Sequence, residues 1–133
     1  MCKVFIFLLV LCWMTSVGRA QGQATATIRV VPEDIAQDSI QLIQWHTDTN
    51  TFMVRWAYTL EGAKKQLAFK NAHDGQEVIT RIGNFEYRGK ILPRKSYPPG
   101  WVNDERWLKT RTDKVYSVSE ADAKLIIEGL KGR

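Results

Sequence analysis

The residues of this chain best suited to chemistry are rings and cations. Between Phe85 and Lys114, the aromatic residues Tyr87, Tyr97, Trp101 and Trp107 interleave with Arg88, Arg94, Lys95, Arg106 and Lys109. Rings beside cations can hold a glycan, an anionic polymer or an extended peptide, through apolar contact and cation–π attraction. The candidate ligand-binding residues are therefore Tyr87, Arg88, Arg94, Lys95, Tyr97, Trp101, Arg106 and Trp107. A structural reading competes with this one. Tryptophan often serves as a buried anchor, in which case the rings pin the segment down and leave its charges solvated.

Charge points to the same stretch. The chain carries 19 basic and 14 acidic residues, a net charge of +5. Residues 85–114 hold eight of the basic and four of the acidic residues, so attraction to an anionic partner is expected to arise there.

Other chemistries find little support. His46 and His73 are the two histidines, and neither has a His or Cys at metal-ligand spacing. The run His46-Thr47-Asp48-Thr49-Asn50 lacks the glycine and terminal glutamate of a calcium loop. No Gly-x-Ser-x-Gly elbow and no phosphate-cradling glycine loop occurs, so neither a metal nor a cofactor is expected. The expectation is a non-enzymatic binding or accessory domain. The alternative is a small carboxylate-dependent hydrolase of the cell envelope, using Glu61 or Asp74 with His73.

Residues 1–20 read as an export signal: Met1 and Lys3 at a positive start, an apolar run over 4–14, and Gly18-Arg19-Ala20 before cleavage after Ala20. The run is too short for a stable membrane anchor. Cys12 follows Leu11, which disfavours a lipoprotein signal. Both cysteines, Cys2 and Cys12, lie inside this segment, so the mature chain is expected to have no thiol and no disulfide. Residues 21–133 then form one domain, periplasmic or secreted, held together by its core. Export makes nucleic acid an improbable partner and leaves polypeptide or an envelope polymer. No stable membrane insertion is expected once the signal is removed.

The elements that must position these residues follow from periodicity. Ile28 to Val31 reads as a strand stopped by Pro32, which can open a helical turn. Residues 39–58 read as a β-hairpin, with Phe52, Val54, Trp56 and Tyr58 on one face. Thr59 can cap a helix over 60–73, ended by Gly75. That helix presents Leu60, Ala63 and Leu67 on one side and Phe69 on the other, so it needs cover on two sides. Gly62 inside it marks a close backbone approach. Residues 77–82 form a strand, turned at Gly83-Asn84, with 85–92 pairing back. Residues 93–112 break pattern as a long inserted loop, with one helical turn near 103–108. Val115-Tyr116 is a short strand. Ser119 then caps a helix with an Ala123, Ile126, Ile127 and Leu130 stripe, ended by Gly129 and Gly132.

The run Thr59-Leu60-Glu61-Gly62-Ala63-Lys64-Lys65, the glycine after its helix, Gly89-Lys90-Ile91 before Pro93, and Val118-Ser119-Glu120-Ala121-Asp122-Ala123 resemble the head subdomain of the periplasmic region of SecD, the accessory membrane subunit of bacterial protein translocase. The likeness covers residues 28–92 and 115–131. It departs from the family's T-P-E-G-A-K-K-F start at Leu60 and Gln66, in the 93–112 insertion, and in having no membrane helices afterwards. The resemblance implies a ferredoxin-like head that touches polypeptide substrates; coupling to a proton gradient does not carry over.

The expected fold is thus α+β: a small antiparallel or mixed sheet with two helices, plus a long aromatic-rich loop. Trp101, Trp107 and Leu108 are the apolar material left to cover the second side of the central helix. The 93–112 segment is therefore expected to fold back as a lid with at least one tryptophan packed there; exposed rings would instead favour a binding platform.

Overall fold

The computed structural model describes residues 24–47 and 50–133; the export signal read at 1–20 lies outside them. The fold is α+β. Its strands are β1 (Ala26–Val30), β2 (Gln41–His46), β3 (Thr51–Ala57), β4 (Glu77–Ile82), β5 (Phe85–Lys90) and β6 (Thr112–Val118). Its helices are α1 (Leu60–Ala72), α2 (Asp104–Thr110) and α3 (Glu120–Lys131). Single 3-10 turns occupy Pro32–Asp34, Gln37–Ser39 and Arg94–Ser96.

The strands divide into two sheets of three, ordered β1-β4-β5 and β2-β3-β6. The first is mixed: β1 runs parallel to β4, with Ile28 opposite Thr80, and β5 returns antiparallel after the Gly83-Asn84 turn. The second is antiparallel throughout, with β3 at its centre. The alternation in β3 places Val54, Trp56 and Tyr58 in the core, where Trp56 is 1% exposed. Val30 and Ile82 meet them from the first sheet, Ala63 from α1, and Ala123, Ile126 and Leu130 from α3. The apolar stripe on α3 is what closes the two sheets into one core.

Caps define both long helices. Thr59 Oγ1 accepts from Gly62 N at 3.1 Å, and Ser119 Oγ accepts from Asp122 N at 3.1 Å. Gly62 lies under the 3-10 turn at Asp34, where a Cβ would fall 2.7 Å from Asp34 Cβ, so the close approach expected there is real. The same turn is tied to the start of α1, since Asp34 O accepts from Thr59 N at 2.8 Å.

Four details differ from expectation. The residues buried on α1 are Gly62, Ala63 and Gln66, while Leu60 is 43% exposed; packing of the first turn against Asp34 rotates Leu60 outward. Gly129 does not end the last helix. It sits inside α3, where a Cβ would fall 2.7 Å from Gly83 N and from the Ile82 carbonyl, and only Gly132 (φ +78°) terminates it. The 93–112 segment contains a third full helix, α2. Asn103 starts it by accepting from Arg106 N at 3.0 Å, and Asp104 and Glu105 favour its positive end. Finally, β6 spans seven residues because a bulge opposite Met53 lets it continue: Val54 pairs Val115 while Phe52 pairs Val118, with Ser117 at φ +52°.

Candidate functional site

The geometry of the aromatic–basic segment is set by Arg94. Its backbone N–H donates to Asp74 Oδ1 at 2.9 Å and its guanidinium to Asn71 Oδ1 at 2.5 Å, both at the end of α1. The same guanidinium reaches Asp104 Oδ1 at 2.8 Å and Oδ2 at 3.3 Å, at the start of α2. Hydrogen bonding to Asp104 raises its pKa above the ordinary value. A planar fork matched to a carboxylate fixes orientation as well as distance. Arg94 is therefore a clamp holding two helices and the intervening chain in one arrangement.

The clamped segment walls a cleft of about 540 Å³. Leu67 and Lys70 of α1, Ile91 and Leu92 after β5, and Tyr97, Trp101 and Trp107 of the segment itself line it. Trp107 is half-buried and packs against the core. Its ring lies 6.2 Å from that of Tyr58, and Lys70 Nζ sits 5.1 Å above it. Trp101 is the opposite case at 74% exposed. One tryptophan thus anchors the lid and the other stands on its rim.

Beside this cleft lies a smaller chamber of about 160 Å³, open to solvent to much the same degree. Lys70, Lys90 and Ile91 line both spaces, so the two abut. Phe69 and Gln66 face the chamber from α1, Thr80 from β4, Tyr87 from β5 and Asp113 from β6. Leu67 and Phe69 thus serve different spaces on the two sides of α1. Tyr58 O–H donates to Asp113 Oδ2 at 2.9 Å. Burial, reinforced by Asp113, pushes the Tyr58 phenol far above its ordinary pKa and that of Tyr87 up to about 12. Like any tyrosine both are protonated at neutral pH, and burial keeps them so well into the alkaline range. Gln66 is 3% exposed, and its Nε2 has no hydrogen-bond partner among the described residues.

The structure brings together four of the eight candidate residues: Arg94, Tyr97, Trp101 and Trp107 line the outer cleft. Tyr87 faces the inner chamber instead. Arg88 lies 3.7 Å from Glu77 across β4 and β5, and Lys95 and Arg106 are exposed outside both spaces. Among the residues considered for hydrolysis, Glu61 pairs with Lys64 at 3.4 Å, and Asp74 holds the Arg94 N–H. His73 Nδ1 lies 3.1 Å from Gln76 Oε1, with its ring against Phe69. These three groups do not converge on the cleft as an acid–base pair. Among the described residues no His, Cys, Asp or Glu cluster could hold a metal, and no helix is long and apolar enough to cross a membrane.

Sequence reasoning missed Lys70, Lys90, Gln66 and Asp113. Only Gln66 stood out, as a departure from the T-P-E-G-A-K-K-F pattern that the 59–65 run was expected to resemble. Comparison with models of known families, with curated proteins and with solved structures finds no match to this chain.

Proposed function

We propose that the chain is an exported, non-catalytic binding domain that holds an extended polypeptide segment in its outer cleft. The observation that carries this reading is Trp101, a large ring left 74% exposed at the rim of a cleft whose walls are already clamped. Covering such a ring is worth about 2–3 kcal/mol, and tryptophans in such positions are typical binding hot spots. Because Arg94 orders the wall beforehand, less ordering entropy opposes binding.

Polypeptide is favoured over an envelope glycan by the lining. Leu67, Ile91, Leu92 and Val102 give the cleft an aliphatic surface suited to apolar side chains. A glycan needs hydrogen-bonding groups beside the rings, and here Arg94, Asn71 and Asp104 are engaged with one another. Lys70 and Lys90 add a preference for acidic segments. The SecD-like Thr59–Lys65 run supports the same partner class, and the N-terminal signal supports an envelope location. The hydrolase alternative has one observation behind it, the partly buried Asp113 beside two tyrosines. Tyr58 O–H donates to that carboxylate at 2.9 Å, and Tyr87, whose phenol burial keeps protonated, supplies no base beside it.

The test is a tryptophan-fluorescence titration with reduced, carboxymethylated lactalbumin, an extended acidic polypeptide, against soluble peptidoglycan fragments. Saturable binding of the polypeptide, weakened at least about tenfold by Trp101→Ala, is the expected result. Binding of the glycan alone would overturn the polypeptide assignment.

A further inference from the structure

The inner chamber holds an unusual set of groups for its size. At about 160 Å³ it has room for about five waters, or for one small organic group. Its walls are apolar at Ile28, Phe69, Val78 and Ile91, and polar only at particular points. Asp113 has one hydrogen bond on each carboxylate oxygen, from Tyr58 O–H at 2.9 Å and from Lys114 N at 2.9 Å. Each oxygen has two lone pairs, so each can accept once more. Tyr87 contributes a protonated phenol, and Lys70 and Lys90 stand where the chamber meets the outer cleft. Gln66, almost wholly buried, has its Nε2 without a partner among the described residues. An orphaned buried amide of this kind is destabilising when nothing satisfies it. Its terminal torsion is soft, so the side chain can turn either a donor or an acceptor toward an occupant.

We infer that this chamber is a subsite for a primary carboxamide, the side-chain amide of an Asn or Gln in the segment held by the outer cleft. A carboxamide carries two N–H donors and one carbonyl acceptor on a small planar group. Asp113 matches the donors; the unpartnered Gln66 Nε2, Tyr87 O–H and Lys90 match the acceptor. A carboxylate in the same place would face Asp113, and an ammonium would face Lys70 and Lys90, each at the disadvantage of a like charge. The source of the amide rests on the polypeptide reading of the outer cleft, whereas the chemistry of the chamber does not.

The experiment uses the whole described domain, isotope-labelled, with acetamide, acetate, methylammonium and N-acetylglucosamine as probes. The side-chain NH₂ resonances of Gln66 and the ring resonances of Tyr87 are followed by NMR. Acetamide is expected to give saturable shifts at both residues, at a midpoint at least tenfold below that of either charged probe. Gln66→Leu should remove those shifts, and the conservative Tyr87→Phe, which keeps the ring, should weaken them severalfold. Trp101→Ala should leave them unchanged while weakening lactalbumin binding at least about tenfold. A domain that binds acetamide but not lactalbumin would therefore sink only the outer-cleft reading. The inference is overturned if acetamide produces no saturable shift, if all probes act alike, or if N-acetylglucosamine binds more tightly, which would make the chamber a glycan subsite.

Discussion

Tyr58, which continues from the end of β3, donates its phenolic hydrogen to Asp113 Oδ2 of β6 at 2.9 Å, across 55 positions of sequence. The bond ties together two places where the second sheet meets other parts of the fold. Tyr58 N donates to Arg111 O at 2.8 Å, just before β6, and the Tyr58 ring touches Trp107 of the lid. The floor of the inner chamber and the anchor of the outer cleft are therefore one connected unit.

Tyr58→Phe keeps the ring and removes the donor. It should destabilise the domain by about 1–3 kcal/mol, since Asp113 loses a partner in a partly buried position. Urea unfolding at neutral pH measures it, and an unchanged midpoint would show that the bond is not formed.

Alkaline pH should act through the same cluster. The folded pKa values of Tyr58 and Tyr87 are raised above the unfolded value of 10, Tyr87 to about 12. A raised folded pKa means that the folded state keeps protons which the unfolded chain releases. The stabilisation is fully present below pH 10 and falls as pH rises above it, by about 1.4 kcal/mol per pH unit for each tyrosine until its folded pKa is passed. Urea midpoints at pH 9, 10 and 11 should drop between the last two, and Tyr58→Phe should flatten that drop.

Gly129→Ala opposes two effects. Alanine favours the helix by about 1 kcal/mol, yet its Cβ would lie 2.7 Å from backbone atoms of Ile82 and Gly83, which have no rotamer to yield with. The net outcome should be a loss of about 1–3 kcal/mol; a stabilised variant would mean that α3 stands further from β4.

The two tryptophans of the lid should separate cleanly. Trp107→Ala should lower stability by about 2–3 kcal/mol, less than a fully buried ring because Trp107 is half-exposed. Trp101→Ala should stay within about 0.5 kcal/mol of the parent. Equal losses at both positions would mean that Trp101 is packed and is no platform.

These contrasts show where the sequence was legible. Thr59 and Ser119 announced their helices because capping is local, decided within three residues. The Phe52–Tyr58 alternation and the α3 stripe announced their buried faces because periodicity is local too. The division into two sheets was not legible, because β1 pairs β4 from some fifty positions away and no short pattern encodes that choice. Helix α1 misled because Leu60 fits the apolar stripe, while contact of Gly62 with Asp34 turns the buried face toward Gln66. In the site, the rings were legible as a group and their division was not. Trp101 and Trp107 look alike in sequence, and their division rests on contacts made only in the fold: Trp107 lies beside Tyr58 and Lys70, while Trp101 stays 74% exposed. Asp113 gave no signal, since one acidic residue in a short strand usually faces solvent.

Arg94→Lys keeps the charge and loses the fork. It should leave the overall unfolding midpoint near the parent value and weaken polypeptide binding in the outer cleft by about tenfold, through loss of a preordered wall. Faster amide exchange over residues 94–103, with no change in α3, is the accompanying signature; unchanged exchange there would mean that Arg94 does not hold the wall.

The most direct test of the central claim follows the backbone amide and indole N–H resonances of the domain during titration with reduced, carboxymethylated lactalbumin. The account predicts a saturable shift at Trp101, accompanied by Ile91 and Leu92 of the same cleft, while Trp45, paired with Tyr116 on the other sheet, stays in place. A shift centred on Trp45 and Tyr116 with Trp101 unmoved would place binding on the opposite sheet and contradict the cleft as the site.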